Sequence, residues 1–261
     1  MKILILGAGK MGSFFTDLLS FSHEVAVLET DAKRMRFIYN ALRFTSYEDI
    51  KGFEPELVIN CVTLSRTVEA FQNAFPFLPA GCIISDIASV KTGLKEFYRD
   101  CGFRSVSVHP MFGPTFANLG NLQTENAIII DEPGQSDYMG KIFFRDLFAT
   151  LKLNVREYTF EEHDKVVAYS LSIPFASTLV FGAIMKHQDA PGTTFKKHLS
   201  IARGLLSEDD YLLTEILFNP HTPDQLSKII DTLTELSGIV KEKNPARMKL
   251  FLDKVRKNLE R

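Results

Sequence analysis

Three glycines near the start of the chain constrain its fold more than any other feature. An apolar run over Lys2–Leu6 leads directly into Gly7-Ala8-Gly9-Lys10-Met11-Gly12, and a helical pattern continues from Met11 to Ser20. At this spacing the first glycine makes the tight turn, the second lets a pyrophosphate approach the backbone, and the third packs helix against strand. The helix N-terminus then offers free N–H groups to the anion. The sequence therefore predicts a dinucleotide site formed by Gly7, Ala8, Gly9, Lys10, Met11 and Gly12.

A carboxylate stands where such a site selects its cofactor. Glu29 follows the second predicted strand, Glu24–Leu28. There it would accept hydrogen bonds from the adenosine ribose and repel a 2′-phosphate, so it favours NAD. Lys33 and Arg34 come shortly after it and leave NADP possible.

The first half of the chain alternates between apolar strands and helices. Several later runs are apolar along their whole length, and a helical pattern such as Arg66–Phe75 lies between two of them. These runs are Leu57–Val62, Cys82–Asp86, Ser105–Val108 and Ala127–Ile130. Strands that are apolar on both faces belong to a parallel sheet covered by helices on both sides. The predicted fold class is therefore α/β, with a Rossmann-type, doubly wound parallel sheet.

Near residue 157 the pattern changes and stays helical to the end. Thr159-Phe160-Glu161-Glu162 is a Thr-x-x-Glu capping box, and Thr222 and Asn244 each precede a proline as predicted N-caps. We therefore predict a dinucleotide-binding domain over residues 1–156 and an all-helical substrate and dimerisation domain over residues 157–261.

One segment, Val166–Met185, is 20 residues long and has no charged side chain, which is enough to span a bilayer. Its serines, threonine, tyrosine and proline make it only moderately hydrophobic, and Pro174 is expected to kink it. A helix that is apolar all round is typically buried, so we interpret it as the centre of a helical domain or homodimer.

Composition excludes two classes of partner. The chain has 30 Lys+Arg against 32 Asp+Glu and a formal net charge of -2, so no basic surface for nucleic acid or anionic membrane is expected. Its three cysteines cannot form a disulfide framework, which favours a reducing, cytoplasmic compartment.

The candidate chemistry lies in two stretches that follow predicted strands, Ser85–Lys91 and Ser107–Pro114. Open α/β folds bind ligands at the carboxyl ends of their strands. His109 is held extended before Pro110 at this edge, so it is the candidate general base. Thr63, after another strand, is expected near the nicotinamide. No cluster with metal-ligand spacing is present, and no metal is predicted.

At these residues the sequence resembles the prephenate and arogenate dehydrogenases of tyrosine biosynthesis. The resemblance covers nearly the whole chain and comprises the glycine motif, Asp86-x-x-Ser89-Val90-Lys91, His109-Pro110-Met111-Phe112-Gly113-Pro114 and Glu162-His163-Asp164. It implies oxidative decarboxylation of prephenate to 4-hydroxyphenylpyruvate and CO2 with NAD(P), in a site between two domains. His109 would take the hydroxyl proton, and Ser89 would bind the same hydroxyl or orient the imidazole.

The resemblance also implies a structural role between the domains for His163 and Asp164, and Lys91 is expected to cap or pair near its loop. The sequence departs from the family pattern at two positions. Many members carry a second histidine where this chain has Phe175, here interpreted as core. Many also carry a substrate-binding arginine at a position that falls on Ser200 or Gly204, and Arg203 is predicted to bind the substrate carboxylate instead.

Three alternatives remain open at the level of sequence. The first is arogenate, in place of prephenate, as the substrate. The second is a β-hydroxyacid or ketopantoate-type dehydrogenase, with Lys165 or Lys186 as its catalytic lysine. The third is a dinucleotide-binding regulator that has lost turnover, which the departure at Phe175 favours.

Overall fold

A single eight-stranded sheet forms the first part of the fold in the computed structural model, which describes residues 1–36, 38–113 and 120–260. Its spatial order is β3-β2-β1-β4-β5-β6-β7-β8. The strands are β1 (Lys2–Leu6), β2 (Glu24–Leu28), β3 (Leu42–Phe44), β4 (Leu57–Asn60), β5 (Ile83–Asp86), β6 (Arg104–Pro110), β7 (Asn126–Ile130) and β8 (Asn154–Tyr158). The first six are mutually parallel; β7 is antiparallel to β6, and β8 is parallel to β7. The predicted Rossmann-type sheet is confirmed, with this antiparallel addition at one edge.

Twelve α-helices lie in the described part of the chain. Around the sheet are α1 (Lys10–Leu19), α2 (Ala32–Met35), α3 (Ile50–Phe53), α4 (Leu64–Ala74), α5 (Leu94–Asp100) and α6 (Tyr138–Thr150). After it come α7 (Phe160–Val167), α8 (Ile173–Ile184), α9 (Thr193–Leu205), α10 (Asp210–Leu217), α11 (Thr222–Glu242) and α12 (Pro245–Leu259).

The sheet is buried on both faces because its central strands are apolar throughout. In β1, Ile3 and Ile5 pack with Phe15 and Phe144 on one face, and the alternate residues pack with Phe71 on the other. Since β1 lies between β2 and β4, the chain order reverses beside β1. Ligands of open α/β sheets bind in the crevice at the carboxyl ends of the strands, next to such a reversal.

The helical part begins as the capping box predicts. The Thr159 hydroxyl accepts a hydrogen bond from the Glu162 amide at 3.3 Å, and the Glu162 carboxylate accepts one from the Thr159 amide at 2.8 Å. Strand β8 continues to Tyr158, so the sheet runs two residues beyond the boundary drawn after residue 156. The described part of this region ends at residue 260, and Arg261 lies outside it, as does Pro114 of the first part.

Two local predictions are refined at prolines. The helix does not break at Pro174; instead a π-helical segment, Ala168–Ser172, joins α7 to α8, and such wide turns accommodate a residue that lacks an N–H. Thr222 is the first residue of α11 and not its N-cap, because its hydroxyl is turned inward to the Ser172 hydroxyl at 2.8 Å. Asn244 caps α12 as predicted, accepting from the Arg247 amide at 3.1 Å.

Candidate active site

A cleft of about 1040 Å³ lies between the carboxyl ends of the strands and helices α8 to α10. Its size suits a cofactor and a small substrate together. Most of the residues predicted for the site line it: Gly7, Gly9, Lys10, Met11, Glu29, Thr63, Ser89 and His109. The structure therefore brings the glycine motif and both chemical stretches to one place.

The three glycines of the turn meet the requirements of a dinucleotide site. Gly7 has φ +92°, in the left-handed region that favours glycine. A Cβ on Gly12 would lie 1.9 Å from the carbonyl oxygen of Gly7, so only glycine packs there. A Cβ on Gly9 would meet nothing within 4 Å, which leaves open space beside the backbone at the N-terminus of α1. A pyrophosphate fits this space, with the N–H groups of α1 as donors.

Glu29 is held at the end of β2 beside this turn. Its carboxylate is 8% exposed and accepts hydrogen bonds from the Ala8 amide at 3.0 Å and the Asp31 amide at 2.9 Å. Arg34 lies 3.9 Å away and, with Lys33, lines a shallow recess next to Ala8 and Gly9. The carboxylate that favours NAD and the basic side chains that would favour NADP therefore lie at the same end of the cleft.

The His109 imidazole is connected to the helical part through a second histidine. His109 Nδ1 lies 2.9 Å from His163 Nε2, and His163 Nδ1 lies 2.9 Å from Asp164 Oδ1. Asp164 is fixed in turn by the Lys91 amide at 2.9 Å, the Thr92 hydroxyl at 3.1 Å and, on its backbone carbonyl, the Asn219 amide group at 2.9 Å. The resemblance implied a structural role between the two parts for His163 and Asp164. In the structure these residues form a hydrogen-bonded chain that ends on the candidate base.

A buried ion pair lies behind His109. The Lys91 ammonium contacts the Asp86 carboxylate and donates to the Val108 carbonyl at 2.8 Å, and the Tyr98 hydroxyl donates to Asp86 at 2.6 Å. Both side chains of the pair are fully buried. Burial lowers the pKa of Lys91 and the adjacent carboxylate opposes that shift. Lys91 therefore pairs inside the protein, as expected, and supports β6 next to His109.

The charge state of His109 follows from these surroundings. Burial lowers the pKa of His109 well below its usual value of 6.5, and nearby His163 and Lys91 lower it further. Burial also lowers the pKa of His163, which Asp164 partly opposes. A neutral imidazole at the edge of the cleft can accept a proton, which is what a general base requires.

The other two predicted polar residues differ in what they contact. Thr63 is the N-cap residue of α4, but its hydroxyl does not cap the helix. Its carbonyl accepts a hydrogen bond from the Thr67 hydroxyl at 3.1 Å. Ser89 lines the cleft near His109.

Arg203 does not line the cleft within one copy of the chain. It is exposed on α9, whereas Ile201 and Leu205 of the same helix line the cleft. Residues two positions away on either side lie about 200° around a regular helix, so Arg203 points away from the cleft. Helix α9 continues through Gly204 to Leu205, so no kink turns the Arg203 side chain toward the cleft. Within one copy of the chain, Arg203 therefore does not line the cleft, and its role in substrate binding stays a prediction.

The helical wall of the cleft is apolar with an acidic rim. Phe175, interpreted as core from the sequence, packs partly against Val167 and Ile216 but also faces the cleft. Sequence reasoning missed Tyr211 and Glu215 of α10, which reach across to the Ser65 amide at 2.8 and 3.1 Å. Because these residues come from a helix about 150 positions later, no local pattern signals the contact.

Comparison with known proteins agrees with this arrangement. No family model matches the chain. Over 260 residues it is 22% identical to a probable arogenate/prephenate dehydrogenase of Methanocaldococcus jannaschii, in a match that covers 92% of this chain and 57% of that protein. The chain thus spans little more than half the length of this curated relative.

Solved structures that match over the full chain include two with known names. Prephenate dehydrogenase from A. aeolicus in complex with hydroxyphenyl propionate and NAD+ has a TM-score of 0.84 and 18% identity, covering 100% of this chain and 98% of that one. Synechocystis arogenate dehydrogenase has a TM-score of 0.76 and 16% identity, covering 100% and 99%. Fold and glycine turn define a dinucleotide-binding α/β protein with a helical second part. More particularly, the chain has the fold of the prephenate and arogenate dehydrogenases.

Proposed function

We propose that this protein is an NAD-dependent dehydrogenase that oxidatively decarboxylates prephenate to 4-hydroxyphenylpyruvate and CO2. The observation that carries the proposal is His109, a buried imidazole with a lowered pKa that shares one cleft with the glycine turn. The sequence similarity to a probable arogenate/prephenate dehydrogenase and the shared fold support it.

The chemistry assigns a task to each residue at the cleft. The ring C4–H of the substrate leaves as hydride, its hydroxyl becomes a carbonyl, and His109 takes the hydroxyl proton. Ser89 holds that hydroxyl. Loss of the ring carboxylate as CO2 leaves its electron pair in the ring, which becomes an aromatic phenolate, and the proton held by His109 returns to that oxygen. The gain of aromaticity drives the reaction. Gly7, Gly9 and Glu29 would hold NAD, which would supply the hydride acceptor.

A specific observation favours arogenate as a second candidate substrate. Glu208, Asp209 and Glu215 all line the helical side of the cleft. Burial raises the pKa of Glu215, but its hydrogen bonds from Tyr211 and from the Ser65 amide oppose that shift and favour the carboxylate. Arogenate carries an ammonium group where prephenate carries a ketone, and an acidic wall attracts an ammonium group.

The test is a single assay with two substrates. The protein is incubated with NAD and either prephenate or arogenate, and the absorbance of the reduced cofactor is followed. The larger kcat/KM identifies the substrate. NAD binding without turnover of either compound would support the regulator instead. The hydroxyacid alternative has little structural support, because Lys165 and Lys186 are exposed and neither lines the cleft.

Replacing Glu29 with alanine is expected to weaken NAD binding and relax discrimination against NADP. A lost charge-assisted hydrogen bond costs about 1.5–3 kcal/mol, or roughly 10–100-fold in Kd. Titration of both cofactors measures the effect, and Glu24→Ala, at the exposed start of the same strand, is the control. If the unmodified protein already uses NADP as well as NAD, Glu29 does not select the cofactor.

We also infer a homodimer through the helical part. One helical stretch, Phe160–Ile184, is long and apolar enough to cross a membrane, yet only 22% of its most apolar window is buried. Helix α11 adds a stripe of exposed apolar side chains at positions 226, 230, 233 and 240, a spacing that keeps them on one helical face. A second copy of this stripe would cover it in a symmetric interface.

Ile230→Lys is expected to convert the dimer to monomer, whereas Asp231→Lys, beside it but outside the stripe, is expected to leave the dimer intact. Ile230 is 61% exposed in one copy, so the lysine costs little unless a partner covers it. Sedimentation equilibrium gives the mass directly. A monomeric unmodified protein would contradict the dimer, and recovery of the protein with membranes would contradict the proposed cytoplasmic location.

A further inference from the structure

The chain His109–His163–Asp164 is closed to solvent along its whole length. His163 is 0% exposed, His109 4% and Asp164 5%. Both links, at 2.9 Å each, are in the range of good hydrogen bonds. His163 comes from α7 and His109 from the end of β6, so the contact joins the two parts of the protein at the candidate base.

The donors and acceptors in this chain leave one arrangement of protons. An ionised carboxylate only accepts, and Asp164 also accepts from the Lys91 amide and the Thr92 hydroxyl. His163 Nδ1 must therefore carry the proton that it donates to Asp164. In a neutral imidazole the other nitrogen is then an acceptor, so His163 Nε2 accepts from His109 Nδ1–H. His109 Nε2 is left without a proton and with its lone pair available.

We propose that His163 and Asp164 are positioning residues, which hold His109 in the tautomer whose Nε2 receives the substrate proton. The proposal rests on the function proposed above. When His109 gains the hydroxyl proton at Nε2, it becomes an imidazolium that still donates from Nδ1 to His163. The negative charge of Asp164, two hydrogen bonds away, stabilises that cation and offsets the nearby Lys91 ammonium. The Lys91 charge is itself compensated by Asp86.

Two substitutions at His163 separate the links. In His163→Gln the amide oxygen reaches the former Nε2 position and still accepts from His109 Nδ1. In His163→Asn the shorter amide reaches only the former Nδ1 position, so it keeps the hydrogen bond to Asp164 and loses the one to His109. We expect kcat to fall by about 100-fold in His163→Asn and by about tenfold or less in His163→Gln, with the KM for NAD unchanged in both.

Asp164→Asn removes the charge while keeping the tautomer. Its oxygen can still accept from the Lys91 amide and His163, with its NH2 group turned to the Thr92 hydroxyl. We expect the acid limb of the pH–kcat profile to move to lower pH, because His109 loses the anion that favours its protonated form. A residue that merely packs the two parts together would lower the melting temperature and leave this limb in place.

The tautomer can be observed without any assay of turnover. With 15N-labelled histidine, NMR of the unmodified protein should show His109 protonated at Nδ1 and bare at Nε2, with the signals assigned by comparison with His109→Asn. This measurement does not depend on which substrate the protein uses. A proton on His109 Nε2, or equal kcat in the two His163 variants, would overturn the proposal, whereas failure of the prephenate and arogenate assay alone would overturn only the proposed function.

Discussion

His109→Asn is expected to lower kcat by about 10²–10⁴-fold with little change in substrate KM, because asparagine has a similar shape but cannot take the hydroxyl proton. The imidazole is buried at the edge of the cleft, so water does not readily replace it. Steady-state kinetics with the preferred substrate measures the loss. His187→Asn, at an exposed histidine far along the chain, is the matched control and should behave as the unmodified protein.

The pH dependence gives an independent check of the same assignment. The pKa of His109 lies below its usual value of 6.5, so the base stays neutral at pH 7 and becomes charged only in more acidic solution. Activity should therefore hold through neutrality and fall at a pH below 6.5. Near-normal turnover of His109→Asn, or an acid limb centred above 6.5, would remove His109 from the mechanism.

The fold was largely predictable because its signals are local. Apolar runs on both faces mark a parallel strand, and the glycine turn fixes the first strand and helix by sterics alone, as the 1.9 Å approach at Gly12 shows. The reversal of β7 against β6 was not predictable in this way. The apolar pattern of a strand's sequence is the same in either direction. Its orientation depends on the connection between the strands and on the packing of its neighbours.

The site was predictable only in its sheet half. Ser89 and Glu29 follow strands and His109 lies at the end of one. The rule that ligands bind at the carboxyl ends of strands therefore places these residues together without knowledge of the helical part. The exposed position of Arg203 was not predictable, because it depends on the rotation of α9, and an offset of one residue turns a side chain by about 100°. The contact between His109 and His163 spans 54 residues, and the Glu-His-Asp stretch signals only that a helix begins there.

Lys91→Met is expected to lower the free energy of unfolding by about 3–5 kcal/mol, because it leaves the Asp86 carboxylate buried without its cation. Both side chains are fully buried, and of the residues that the structure describes, the Tyr98 hydroxyl and the Ala88 amide, at 2.6 and 2.9 Å, would still donate to that carboxylate. Urea denaturation measures the loss.

Two further variants decide whether the buried charge is the cause. Lys95 pairs with Glu132 at 2.7 Å but is 47% exposed, so Lys95→Met should cost no more than about 1 kcal/mol. Adding Asp86→Asn to Lys91→Met removes the uncompensated charge and should recover part of the lost stability, since replacing both members of a buried pair costs less than removing one. If the double variant is no more stable than Lys91→Met alone, the loss comes from packing around the lysine stem, and the pair does not hold β6 and His109 in place through its charge.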